Sequence, residues 1–348
     1  MTEQNWGTVL TLGAEEELML VDAETLAQRP VSSEVIPRVD AERGLVKHEL
    51  FESIVELNTG VCESAADALG VLRDLRRETE RAAREVGCRI AASGSHPFDV
   101  ASEQEIANEP HYRAFVEYAG PAAHRQGVQG LHVHVGMPDA ETCLRVVEAI
   151  IPWLPLLLAL SANSPWFEGA RTGMSSIRAE ILTLLPRHGA PPRFDSWQDW
   201  ERLVRRFCDA GVIDVYTAIH WDVRPHPRYG TLEVRMPDQP TDVGISGALI
   251  ELVRTLCAWA LEQPESPVDG SSRVVYDQNR WAAARFGPRA QLIHPERDAP
   301  VGVPELYAEL GQRIGFDGLD PSLCEADLQL GFDQPREAAA DIVARSLP

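Results

Sequence analysis

The chain has 348 residues, 44% apolar and 24% charged, which excludes global disorder and supplies a core that needs no covalent staples. Its 53 acidic against 32 basic side chains leave a formal charge of −21. That field repels phosphate backbones and anionic headgroups, so neither nucleic acid nor a membrane surface is an expected partner.

Lys47 is the sole lysine. A GxxxxGK[ST] phosphate loop is therefore excluded, and a Schiff-base enzyme would have to use Lys47. Any anionic ligand has to be met by arginine or by metal. Genome composition is the plain explanation of the bias, since the chain is also rich in alanine. Six scattered cysteines with no CxxC pair fit neither a disulfide framework nor a zinc knuckle, and suit a reducing cytosol. The opening MTEQNWGTVLTLG lacks the basic and apolar regions of a signal peptide, so a cytoplasmic protein is expected. The most apolar run, about Ile150 to Leu160, carries Pro152 and Pro155 and reads as a buried helix or helix pair, too short to span a bilayer.

In chain order, Thr8–Val21 reads as a strand and Gly44–Thr59 as a second. Ser64 then N-caps an amphipathic helix closed by Gly87. Arg89–Ser93 and Gly130–Gly136 read as further strands, Ala140–Leu160 and Asp242–Leu261 as helices. Thr217–Arg235 holds two strands joined through Pro225–Gly230. This order lacks the βαβ rhythm of a doubly wound parallel sheet. An α+β fold is expected, a mainly antiparallel sheet backed by helices, with one domain over residues 1–348 and a helical C-terminal segment from about 300.

Four strands carry charge where apolar residues belong. In GAEEELMLV, Glu15 and Glu17 share a face and Glu16 points to the other. A half-buried pair of like charges needs a cation, and hard divalent ions prefer oxygen ligands; a solvated strand face explains the segment alone equally well. In HELFESIVELNTG, period two puts Glu52, Ile54, Glu56 and Asn58 together, and a helix would also pair Glu52 with Glu56. In GLHVHVG, His132 and His134 face one way; a satisfied core histidine competes with a metal ligand there. In WDVRPHPRYGTLEVR, Thr231, Glu233 and Arg235 align, which a cross-strand ion pair would also explain. Taken together, the segments would bury several unpaired ions at several kcal/mol each, which favours a metal site. Carboxylates, imidazoles and arginines without a phosphate loop suit nucleotide chemistry on a carboxylate substrate.

The segments GAEEELMLVD, KHELFESIVELNTG, GSHPF, GLHVHVG, LSANSPWFEG, WDVRPHPRYGTLEVRMPD and NRWAAARFG resemble, in order and spacing, the glutamate–cysteine ligase type 2 family, carboxylate–amine ligases related to glutamine synthetase. The resemblance covers about Leu12 to Gly287. It implies a glutamine synthetase-like catalytic fold, a curved sheet with helices on its outer face, binding ATP and Mg²⁺, with Mn²⁺ as a substitute. It implies an amide made from glutamate and an amine, cysteine in the family's name, through a γ-glutamyl phosphate. Its implied metal ligands are Glu15, Glu17, Glu52, Glu56, His132 and Glu233. His134 would lie near the nucleotide and Arg235 on phosphate. Arg178, Arg224 and Arg285 would hold the substrate carboxylate or the phosphates, with Arg224 and Arg235 catalytic. A homodimer stays open. The competing readings are a phosphotransferase on the same fold, a metal-dependent hydrolase using the HxH pair, and a non-enzymatic sensor.

Overall fold

The computed structural model describes residues 4–263 and 272–347; the first residues of the MTEQNWGTVLTLG stretch lie outside it. Seven strands form one open sheet: β1 (Leu12–Asp22), β2 (Leu45–His48), β3 (Ile54–Asn58), β4 (Cys88–Ala91), β5 (Leu131–Gly136), β6 (Val223–His226) and β7 (Thr231–Val234). The order is β6-β7-β5-β1-β3-β2, with β4 extending along the far half of β1. Every pairing in it is antiparallel, as the absence of a βαβ rhythm predicts.

One strand of the sequence reading splits in two. Gly44–Thr59 is a hairpin in which Leu45 pairs with Asn58 and His48 with Val55, so the chain must reverse between them. Glu52 lies in that turn, off the period-two row, and accepts hydrogen bonds from the Ser33 backbone N–H and hydroxyl. At the β6–β7 turn, Gly230 has φ +66°, and a Cβ there would stand 2.0 Å from the Asn5 carbonyl oxygen. Both facts require glycine.

The Ala65–Glu85 helix starts as expected, with Ser64 Oγ accepting from the Asp67 N–H at 3.1 Å. It packs against the Val243–Glu262 helix and β1 behind the sheet. The apolar run is a helix pair, Ala140–Ile150 and Leu154–Ser161, joined through a 3₁₀ turn over Ile151–Trp153. By length and composition alone, the longer spans Ala140–Ser161 and Val243–Glu262 could each cross a membrane. Most of the apolar side chains of both belong to the main core. The C-terminal segment is helical over Val303–Ile314, Glu325–Gln329 and Pro335–Arg345.

Glu16 points behind the sheet and is fully buried against the equally buried Arg76. Arg76 Nε and Nη2 fork onto the two carboxylate oxygens, each at 2.7 Å. The remaining donors reach the carbonyls of Pro240, Thr241 and Ser346. Removing one partner leaves an uncompensated buried charge. Arg76→Leu should therefore lower stability by about 3–5 kcal/mol, and Arg76→Leu with Glu16→Leu by less. Denaturant midpoints measure both, and a loss from the single variant below about 1 kcal/mol contradicts the assignment.

Candidate active site

On the other face of the sheet the antiparallel register sets the charged side chains in rows. Lys47 stands opposite Glu56, and Glu56 opposite Glu17. In the next row Asn58 faces Glu15 and Glu15 faces His132. In the third, His134 faces Glu233 and Glu233 faces Arg224. The period of two thus gathers residues from six strands. With residues from the 211–220 segment and the Pro110–Ala119 helix, all of these but Glu17 and Asn58 line a cavity of about 820 Å³. A chamber of about 160 Å³ adjoins it, sharing Glu49, Tyr112, Phe115, His132, His220 and Arg235.

Ligand atoms of Glu15, His134 and Glu233 all lie within 4.8 Å of one another, and all three residues are buried. His134 Nδ1 is engaged with Thr231 Oγ1 at 3.0 Å, while its buried Nε2 has no hydrogen-bond partner among the described residues. One free imidazole nitrogen between two carboxylates fits a divalent cation. Of the two histidines, it is His134 rather than His132 that falls in this cluster. His132 Nδ1 contacts Glu15 at 3.2 Å and the Arg235 guanidinium at 3.3 Å. Burial and then Arg235 push the His132 pKa down to about 3.

The carboxylates fall into two groups. Burial acts upward on Glu15, but the His132 hydrogen bond and the His134 imidazole, whose Nε2 stands 3.7 Å from Glu15 Oε1, outweigh it and hold Glu15 well below the usual range. Glu233 is held down likewise, Arg224 and Arg235 overcoming its burial. Burial and then repulsion from Glu49 raise Glu17 to about 7. Burial and then Glu15 raise Glu56 well above the usual range, although Lys47 Nζ stands 2.8 Å from Glu56 Oε1. Glu49, also raised by burial, lines both cavities. Sequence reasoning missed it because it follows the end of β2, outside any row.

The arginines separate by their hydrogen bonds. Arg224 spends Nε and Nη2 on Glu233 and Nη1 on the carbonyls of Thr217 and Ile219, so it orients Glu233. Arg235 bonds Glu233 and His132 through Nη1 alone, leaving Nε and Nη2 without a hydrogen-bond partner among the described residues. Arg178 binds the carbonyls of Arg235 and Met236, each at 3.1 Å, and lines the smaller chamber. A Cβ on Gly130 would lie 2.1 Å from Arg178 Nη2, which explains that glycine. Two expected residues are not at the site. Glu52 is in the hairpin turn, and Arg285, at a helix end over the Phe286 ring, lines neither cavity.

The fold built around this open antiparallel sheet is shared with solved glutamate–cysteine ligases. Glutamate–cysteine ligase from Francisella tularensis, solved in complex with AMP, superposes with a TM-score of 0.70 at 16% identity, over 99% of this chain and 89% of that one. The bifunctional glutathione synthetase of Pasteurella multocida gives 0.66 at 15%, over 97% of this chain and 51% of that one. In sequence, residues 11–320 match glutamate–cysteine ligase family 2. A Rubrobacter xylanophilus relative named "putative glutamate–cysteine ligase 2-3" is 42% identical over 94% of this chain and 89% of its own. The glutamate–cysteine ligase of Haloferax volcanii is 35% identical over 91% of this chain and 89% of its own. The chain belongs to glutamate–cysteine ligase family 2. The match runs past Gly287, so the family extends into the C-terminal segment.

The raised Glu17 pKa has a measurable consequence. From an ordinary 4.5 it rises to about 7, so the folded chain binds that proton more tightly than the unfolded chain. This stabilisation is complete below about pH 4.5 and lost as pH rises through about 7. Metal-free Glu17→Gln should match the parent at about pH 4 and exceed it by about 1–3 kcal/mol at about pH 8. Equal stability at both values in chemical denaturation contradicts the shift.

Proposed function

We propose that the chain is an ATP-dependent carboxylate–amine ligase that activates glutamate, or a close amino-acid carboxylate, as an acyl phosphate and passes it to an amine. The observation that carries this reading is the Glu15–His134–Glu233 cluster, opening on the same cavity as the free guanidinium nitrogens of Arg235. The nucleotide-bound relative from Francisella tularensis, which shares the fold, supports the ATP side.

Glu15, His134 and Glu233 would hold one Mg²⁺, and Glu17 and Glu56 offer oxygens for others. Bound Mg²⁺ supplies charge neutralisation on the phosphates. The remaining work falls to the chain itself. Arg224 locks the Glu233 carboxylate in place, so its oxygens need no reorganisation during the reaction. Arg235 stands where negative charge develops on the transferring phosphoryl group, and Arg178 fixes the backbone that carries it. The substrate carboxylate attacks the terminal phosphorus and ADP leaves.

The amine then displaces phosphate from the acyl carbon and loses a proton. Glu17 and Glu49, both raised by burial and both lining the smaller chamber, are placed to take that proton. Leu50, Phe51, Phe115, Leu182 and Leu185 wall the chamber and exclude water, which would otherwise hydrolyse the acyl phosphate.

Mg²⁺, ATP, glutamate and a panel of amines should release ADP and phosphate, and hydroxylamine should trap a hydroxamate. AMP and pyrophosphate would overturn the mechanism, and hydroxamate without ATP the ligase reading. Turnover of a substrate without ATP would favour the hydrolase, and phosphate transfer that needs no amine the phosphotransferase. EDTA should remove activity, and Mg²⁺ or Mn²⁺ but not Zn²⁺ should restore it, because the ligands are mainly hard oxygens. Glu15→Gln and Glu233→Gln should abolish ATP turnover. Arg235→Lys should lower it by about tenfold or more, about 1.4 kcal/mol, since an ammonium cannot reproduce the guanidinium fork.

A further inference from the structure

The smaller chamber, of about 160 Å³, meets the catalytic cavity at Glu49, Tyr112, Phe115, His132, His220 and Arg235, which line both. Beyond that mouth its wall is mainly apolar, made by Leu50, Phe51, Ile54, Val128, Leu182 and Leu185. Four polar residues complete it, and each is already engaged. Glu17 Oε2 accepts from the Gly130 N–H at 2.6 Å, and Gln126 Nε2 donates to the Ala122 carbonyl at 3.0 Å. Asp222 Oδ2 accepts from the Tyr276 hydroxyl at 2.7 Å and from Arg280 Nε at 2.8 Å. Arg178 spends Nη1 and Nη2 on the carbonyls of Met236 and Arg235 and stands 3.9 Å from Asp238.

Size and charge limit the occupant. A dry apolar cavity of about 150 Å³ holds one benzene-sized group, so the chamber has room for a single ring or a branched chain of about five carbons. Its two guanidiniums are committed elsewhere, Arg178 to backbone carbonyls and Asp238, Arg235 to Glu233 and His132 and, on the ligase reading, to the transferring phosphoryl group. An ammonium entering past Glu49 gains a carboxylate partner. A carboxylate on the same molecule gains none, and would sit among Glu17, Glu49 and Asp222. Burying such an unpaired ion costs several kcal/mol.

We propose that the amine substrate is a small primary amine with an apolar body and no carboxylate, an alkyl- or arylalkylamine rather than an α-amino acid such as cysteine. Its use as a substrate rests on the ligase reading; its binding does not. The nitrogen stays at the mouth between Glu49 and Arg235, and the hydrocarbon fills the chamber. The lone pair of the neutral amine bonds the acyl carbon, phosphate leaves with the electrons of the C–O bond, and one N–H proton passes through Glu49 to the departing phosphate.

The test compares three amines with the amino acids that differ from them by a carboxylate, at saturating ATP, Mg²⁺ and L-glutamate. The pairs are 3-methylbutylamine with L-leucine, 2-phenylethylamine with L-phenylalanine, and cysteamine with L-cysteine. In each pair the amine should show a kcat/KM at least about tenfold higher, read by ADP release with the amide confirmed by mass spectrometry. Lengthening methylamine toward 3-methylbutylamine should raise kcat/KM about threefold per carbon. Leu182→Trp, which fills the chamber, should lower the ratio of 2-phenylethylamine to methylamine by about tenfold or more. Leu182→Ala should raise the ratio of 1-naphthylmethylamine to 2-phenylethylamine. An amino acid that matches or exceeds its amine in any pair would overturn the proposal, and so would ratios that neither Leu182 variant moves.

Hydroxamate formation from hydroxylamine separates this proposal from the ligase reading. If hydroxamate forms while the apolar amines fail to exceed ammonia, the substrate class is wrong and the ligase reading stands. If no hydroxamate forms, the ligase reading falls and binding decides the rest. The ¹⁹F line of 2-(4-fluorophenyl)ethylamine should broaden saturably with the metal-free protein, and sharpen again on adding 3-methylbutylamine but not L-leucine. No broadening at up to about 10 mM, or equal sharpening by L-leucine, would overturn the site itself.

Discussion

The buried Glu16–Arg76 pair is the constraint on which the site depends. β1 is hydrogen-bonded on both edges, and it carries three carboxylates in succession. A period of two sends Glu15 and Glu17 to one face only if Glu16 is accommodated on the other, inside the core. An unpaired carboxylate there would cost several kcal/mol. Arg76 neutralises it, and Ser246 and Gln239 donate to its Oε1. Because Arg76 also holds Pro240, Thr241 and Ser346, the arrangement ties the Ala65–Glu85 helix and the C-terminal end to the centre of the sheet. A one-residue slip of β1 would place two carboxylates opposite one guanidinium and strip the site of both.

The cavity face then solves a different electrostatic problem. Five carboxylates, Glu15, Glu17, Glu49, Glu56 and Glu233, cannot all stay ionised around so little positive charge. The two nearest imidazole and guanidinium groups, Glu15 and Glu233, keep their charge. The other three are pushed toward the protonated form by burial. Cations arriving at such a face compete with protons, so metal binding and proton release are coupled. Glu17, raised to about 7, also stays close enough to neutral pH to exchange protons with a substrate. One set of side chains can thus serve both cation binding and proton transfer because the local field separates their affinities.

What was legible in the sequence follows from how each feature is encoded. The strand faces were readable at Glu15, Glu17, Glu56, His132, His134 and Glu233, because alternation is a local property. Glu52 was misplaced by extending the same alternation through a hairpin turn that the glutamates themselves do not announce. Which histidine joins the carboxylate cluster could not be read, since both share a face and only the neighbouring strands decide that Arg235 crowds His132 and leaves His134 Nε2 open. The arginines were hardest: Arg178, Arg224, Arg235 and Arg285 look alike in sequence. Their difference lies in which carbonyls and carboxylates surround them, and those come from distant segments.

That division between local and distant encoding bears on specificity. The phosphoryl chemistry proposed above rests on strand residues whose positions are set by register. The smaller chamber, by contrast, takes Leu50 and Phe51 from a turn, Phe115 from a helix, Val128 from a loop and Leu182 from the segment after a short helix. These segments can change without disturbing β1, β5 or β7. A chain can therefore keep every strand motif of glutamate–cysteine ligase family 2 while its chamber is reshaped by a few loop substitutions. On the ligase reading proposed above, the strand motifs would set the reaction class and the chamber wall the choice of amine.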